Sequence, residues 1–206
     1  MELDQQINNA VEWNTELRKL IDGESLSTPD DSAKVKVSVS GPLLLHSLEL
    51  YQGIIVLVDN KLFGSALALL RPHFEAHVRG VWFQWCATEN QIKLFLRENS
   101  MPMSLGKLIK KIEQVGVYKD EELSSLYAKI KNQLHDYTHG GVAQVMAKIS
   151  GNEIVSNYNP KLIAEVVMFS STIVYLTTLA IARIKGNDEL AIKLATINQR
   201  IYGKAP

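Results

Sequence analysis

Between Glu165 and Arg183 lie seventeen consecutive residues, Val166 to Ala182, without a single charge. A helix of this composition has no polar face to give to water, so something apolar must surround it. At about 1.5 Å per residue it stands at the short limit for crossing a hydrocarbon layer about 30 Å thick. Ser170, Ser171, Thr172, Thr177 and Thr178 are spread around its circumference. Hydroxyls on every side fit the middle of a helical bundle better than lipid, and the expectation is a central packed helix and no membrane span.

The rest of the chain can supply that surround. Leu3, Ile7, Ala10, Val11, Leu17 and Ile21 recur at steps of three and four, which predicts an N-terminal helix over residues 1–22. Residues 24–40 break the pattern: Ser, Thr, Pro and paired Asp are followed by Lys34-Val35-Lys36-Val37-Ser38-Val39, whose alternation is strand-like. A strand needs a partner, and Ile149 to Tyr158, with Ser150-Gly151-Asn152 as a turn, is the other β-looking stretch. Pro42 is expected to open a helix through Val58, joined by a short connection to another over Lys61 to Ala87.

Thr88 with Gln91 reads as a capping box, Ser104 as the cap of a helix to Val115, and Asp120 as the cap of one that stops at Gly140-Gly141. Asn159-Pro160 opens the uncharged helix, and a last helix covers Asp188 to Tyr202. The expectation is an all-α, antiparallel helical bundle with a small β appendage, forming one domain over 1–206. Its polar motifs fall in 41–148, and its C-terminal helices span 159–202.

Lys and Arg total 22 and so do Asp and Glu, so the basic balance of a dedicated DNA-binding domain is missing. One cysteine, Cys86, excludes an internal disulfide framework and a multi-cysteine zinc site. The first ten residues hold two acids and no Lys or Arg, which is not the pattern of a secretory signal, so a cytoplasmic location is expected. No glycine-rich phosphate loop or nucleophile elbow is present, and no cofactor is expected.

Two stretches could carry chemistry. In the helix around residues 67–82, Phe63, Leu67, Leu70, Phe74, Val78, Val81 and Trp85 form an apolar stripe at about 100° per residue. Arg71, Glu75 and Arg79 run along one flank, continued by Trp82 and Cys86, while His73 and His77 lie on the other. Such a row can hold a guanidinium toward a carboxylate or phosphate. In Leu134-His135-Asp136-Tyr137-Thr138-His139-Gly140-Gly141, Tyr137 continues an apolar stripe, and His135 and His139 share the polar side of a helix end. His73 with His77, and His135 with His139, are thus two pairs at four-residue spacing, which admits a metal between helices. A glutamate three residues before a histidine, as in carboxylate-rich di-iron bundles, is lacking.

The run Leu69-Leu70-Arg71-Pro72-His73-Phe74-Glu75, then Arg79-Gly80 and Trp82, with Tyr137-Thr138-His139-Gly140-Gly141, resembles a group of uncharacterised all-helical bacterial proteins. That group is remotely similar to HEPN-type bundles and abortive-infection proteins. The resemblance covers roughly the middle half of the chain. It implies a bundle with a polar site shared by Arg71, Glu75 and His139. HEPN ribonucleases use an arginine followed, four to six residues on, by a histidine, often across a dimer interface, to cleave RNA without metal. Arg71 and His77 have five residues between them, although Pro72 stands where that family has a polar residue.

Three readings follow. The first is a homodimeric binding module of a bacterial defence system, whose site of Arg71, Glu75, Arg79, Tyr137 and His139 receives a small anionic group. The second is a metal-independent HEPN-like ribonuclease, with Arg71, His77 and His139 as catalytic candidates. The third is a metalloprotein using His73, His77, His135 and His139. They differ in geometry: the first needs His139 beside Arg71 and Glu75, the second His77 beside Arg71, the third the two pairs face to face.

Overall fold

The computed structural model describes residues 3–21, 34–118 and 121–203. Within them nine helices and one two-stranded ribbon follow in the order α1 (Leu3–Ile21), α2 (Lys34–Asp59), α3 (Phe63–Trp85), α4 (Glu89–Glu98), α5 (Leu105–Gln114), α6 (Glu122–His139), α7 (Val142–Met146), β1 (Ile149–Ser150), β2 (Glu153–Ile154), α8 (Pro160–Lys185) and α9 (Asp188–Tyr202). The protein is all-α with a small β appendage.

Helix α2 overturns one expectation. Lys34 to Val39 is not a strand but the first turns of α2, and Pro42 lies inside the helix rather than at its start. The physical reason is a stripe longer than the alternation. Val37, Ser40, Gly41, Leu44, Ser47, Leu48, Tyr51, Ile54, Ile55 and Val58 are all buried and advance at helical steps, so the helix continues upstream through the lysines. Pro42 has no N–H to offer the Ser38 carbonyl, yet the helix runs through it. Residues 24–33, the rest of the irregular segment, lie outside the described residues.

Helices α2 and α3 form an antiparallel hairpin across Asn60–Leu62, with Lys61 at φ 60°. They approach most closely at Gly80, where a Cβ would stand 2.8 Å from the Leu44 side chain and 3.3 Å from its backbone nitrogen. Helix α3 packs against α2, α5, α6 and α8, and α8 against α1, α2, α3 and α9. Much of Val166 to Ala182 is accordingly buried, as expected of a central helix. Both α2 and α8 are long and apolar enough to cross a bilayer by length and composition alone. Their hydroxyls meet other polar groups inside the bundle: Ser171 Oγ takes bonds from the Tyr202 hydroxyl at 3.0 Å and pairs with that of Tyr51 at 3.2 Å.

Several local expectations hold. Thr88 and Gln91 form both halves of the capping box, Asn159 accepts from Lys161 N ahead of Pro160, and Gly140 ends α6 at φ 67°. The Ser150-Gly151-Asn152 turn closes a hairpin on itself, Ile149 opposite Ile154. Ser104 occupies the start of α5 without a side-chain capping bond. Asp120 lies outside the described residues. A different carboxylate acts at the start of α6: buried Glu113 of α5 accepts from Ser124 N at 2.8 Å and from its hydroxyl at 2.5 Å.

Candidate functional site

Helix α3 is buried nearly all round, and its exceptions include the Arg71, Glu75, Arg79 row. Arg71 Nε donates to Glu75 Oε1 at 2.8 Å, and Arg79 Nη2 donates to Glu75 Oε2 at 2.6 Å. The carboxylate, 17% exposed, is thus held from both sides by guanidiniums that are 34% and 37% exposed. Two cations on one anion leave one positive charge over at this surface.

The last turn of α6 lies across Arg71. Arg71 Nη1 is 3.2 Å from His135 Nδ1 and 3.3 Å from His139 Nε2, and the two rings sit 4.7 Å apart, tilted by 52°. Guanidinium nitrogens only donate, so both imidazole nitrogens must accept. His135 then carries its proton on Nε2 and His139 on Nδ1, both rings neutral. With Nε given to Glu75 and Nη1 to the histidines, Nη2 of Arg71 keeps two N–H groups outside these contacts.

The glycines of the motif have separate duties. Gly140 takes the left-handed conformation that ends α6, whereas a Cβ on Gly141 would stand 2.9 Å from Asp136 Cα. This tight turn lets Asp136 accept from Ala143 N at 3.3 Å, at the start of α7. The His-Asp-Tyr-Thr-His-Gly-Gly run therefore both brings its histidines to Arg71 and starts the next helix.

Arg71, Glu75, Arg79 and His139 come together as the shared-site reading requires. His135, grouped by spacing with the metal candidates, joins them. Tyr137 does not: it is buried and, with Leu67, Leu70, Ile130, Leu134, Leu162 and Phe169, lines an apolar cavity of about 70 Å³ between α3, α6 and α8. Tyr137 stands two residues from each histidine, about 200° around the helix, which carries it to the opposite face. Trp82 is likewise buried rather than part of the exposed row.

His73 and His77 are in the interior, both without solvent exposure. The proton positions around His77 are dictated by its partners. Thr177 Oγ1 gives its only hydrogen to the Ile173 carbonyl at 2.8 Å, so it must accept from His77 Nδ1, also at 2.8 Å. His77 Nε2 is left as an acceptor, and the Tyr118 hydroxyl donates to it at 2.9 Å. His73 Nδ1 lies 2.9 Å from the Ser47 carbonyl and its Nε2 3.3 Å from that of Ser170. A neutral ring has one N–H, and the nearer carbonyl takes it.

Burial brings His73 down to about 4, against the pull of the Ser170 and Ser47 carbonyls, and brings His77 down to about 3 with His73 adding to the effect. The Tyr118 hydroxyl is pushed well above its usual range by burial.

This arrangement corrects two expectations. His77, a catalytic candidate, has both nitrogens engaged in the core, on the side of α3 away from Arg71. The two histidine pairs do not face each other, since α3 presents one inward to α2 and α8 while the other meets Arg71 from α6. Among the described residues, no group of three or more His, Cys, Asp or Glu could hold a metal ion. Ser47, Thr177 and Tyr118 gave no signal as partners of the inner pair, because hydroxyl residues on three separate elements share no sequence spacing.

Residues 44–206 match a family of unknown function, DUF6988. The chain belongs to that family. The part shared with DUF6988 contains the whole outer cluster and the buried histidine network, whereas α1 and the first turns of α2 precede it. Among curated proteins and among solved structures, no match is found.

Proposed function

We propose that this member of DUF6988 is a binding module for an anionic group, with Arg71 as its principal donor and Arg79, His135 and His139 around it. The observation that carries the reading is the posture of Arg71. Its Nε is fixed by Glu75 and its Nη1 by two imidazoles from another helix, so the guanidinium is oriented before any ligand arrives while Nη2 remains to donate. Glu75 neutralises one of the two arginines, and the surplus charge favours an anion.

The test is binding of inorganic phosphate to the full chain, followed by calorimetry or ligand-observed NMR. Arg71→Ala is expected to abolish binding while the far-ultraviolet circular dichroism stays that of the parent. Unchanged binding by that variant would refute the reading.

A second reading, cleavage of RNA without metal, is favoured by one observation: Arg71 meets His139, two of its three catalytic candidates, with His135 in place of His77. One neutral imidazole would take the proton of a ribose 2′-hydroxyl as its oxygen bonds to phosphorus, and the other, entering the reaction protonated, would give its proton to the 5′ oxygen as the P–O5′ bond breaks, with Arg71 on the phosphorane. Appearance of 2′,3′-cyclic phosphate ends on incubation with single-stranded RNA, lost in His139→Ala, would establish it.

A further inference from the structure

From the hydrogen-bond roles around Arg71 we infer that the site is proton-coupled and takes a tetrahedral, multiply charged oxyanion of the phosphate or sulfate type, capturing protons on His135 and His139 as the anion enters. The inference rests on the anion-binding reading and adds its ligand class and its regulation.

In the free protein both imidazoles serve as acceptors to one nitrogen, Arg71 Nη1. A proton added to His135 Nδ1 or His139 Nε2 turns that contact into cation facing cation. The protonated ring must turn away from Nη1, and it then presents an N–H to whatever lies beside Arg71. Protonation thus exchanges a bond that immobilises Arg71 for a new donor and a new positive charge. An incoming anion supplies the acceptor that the freed Nη1 and the protonated ring both need, so anion and proton stabilise one another's binding.

The shape of the donor set selects the ligand. Arg71 N–H groups and two rings tilted 52° to each other come from two helices and do not share a plane. A carboxylate offers two coplanar oxygens, which the Nη1–Nη2 edge of Arg71 can take but which leave the N–H groups of the two tilted rings without an acceptor. A phosphate or sulfate offers oxygens in three directions.

The charges that bear on the two histidines come from a short set. From α3 they are Arg71 directly, with Glu75 and Arg79 behind it. On α6 itself Lys131 stands one turn before His135, and Asp136 is turned to the start of α7. From α5, Glu113 meets the opposite end of α6 at Ser124, and Lys110 lines the same shallow surface as Glu113. Helix α7 carries no titratable side chain, and Glu165 of α8 lines the apolar cavity, which the histidines do not. Arg71 is therefore the one charge in hydrogen-bond contact with both rings.

Sulfate is the probe, because it stays doubly charged throughout the histidine range and any pH dependence belongs to the protein. Titration calorimetry on the full chain, at about pH 7.5 and about pH 5.5 and in buffers of different ionisation heat, reads affinity and proton uptake together. Binding is expected to tighten by about tenfold or more at the lower pH, with uptake of about one to two protons, and acetate is expected to bind far more weakly. In the His135→Gln/His139→Gln double variant sulfate binding is expected to weaken to about the wild-type level at the higher pH, with a flat pH profile and no proton uptake.

Nitrogen-15 spectra of the unliganded wild-type protein at about pH 8 give a check that needs no variant: His135 as the Nε2–H tautomer and His139 as the Nδ1–H tautomer. Wild-type binding that is equal at both pH values, a double variant that keeps the slope, or the opposite tautomers would overturn the coupling and leave the anion site standing. No sulfate binding at either pH would overturn the anion site itself.

Discussion

Helix α3 carries two polar pairs on opposite sides, and the two live under different physics. On the outside, Arg71 and Glu75 are partly solvated, and Arg71 is met by histidines that are themselves exposed. On the inside, His73 and His77 have no solvent contact and every hydrogen bond is to a protein group. The inner pair is a structural element whose loss leaves orphaned polar atoms in the core. The outer pair is cheap to alter and free to meet a ligand. Histidine itself does not decide the role; the number of sides closed by protein does.

The largest effect that would test this contrast is acid destabilisation. His73 and His77 are held neutral in the fold, with values lowered to about 4 and about 3, while in the unfolded chain they take up protons in the ordinary histidine range. The unfolded state therefore binds more protons below about pH 6.5, so stability is complete above that value and falls as the pH drops toward 4. At about 1.4 kcal/mol per unit of displacement the two together should remove several kcal/mol by pH 4. Denaturant midpoints across this range check it, and a flat profile would show that the inner pair is not held neutral.

Next in size is His77→Ala. It leaves a void and strips the Tyr118 hydroxyl and Thr177 Oγ1 of their partner, an expected loss of about 3–5 kcal/mol by chemical unfolding. Gly80→Ala should cost about 1–3 kcal/mol, because the added carbon meets the Leu44 side chain and its backbone cannot yield freely. Arg71→Ala should be the mildest in stability, about 1 kcal/mol or less, since a guanidinium one-third exposed has water as its alternative partner. A loss from Arg71→Ala as large as that from His77→Ala would erase the distinction between the two sides of α3.

Much of the fold was legible because helix signals are local. The Thr88–Gln91 box, Asn159 before Pro160 and Gly140 after His139 each act within a turn of the boundary they set. Lys34 to Val39 is the exception: six alternating residues look strand-like, yet they belong to a buried helical stripe that runs on to Val58. The site was legible in part. Spacing put Arg71, Glu75 and Arg79 on one flank of a helix, and the ion pairs confirm that flank. Spacing also grouped His135 with His139, but it could not say that Arg71, rather than a metal or the other histidine pair, would stand before them.

By itself the sequence determined the long helices, though not α7 or the start of α2, and the interior place of the uncharged segment, because periodicity, capping and chain stiffness operate over a few residues. Only the tertiary structure decided that His73 lies against the hydroxyl and carbonyl of Ser47 and His77 against the hydroxyl of Thr177, that Glu113 holds the start of α6, and that the end of α6 brings two neutral imidazoles to Arg71. Those contacts join elements 11 to 100 residues apart along the chain. Their partners are chosen by how the helices cross, and the crossing depends on packing summed over the whole core.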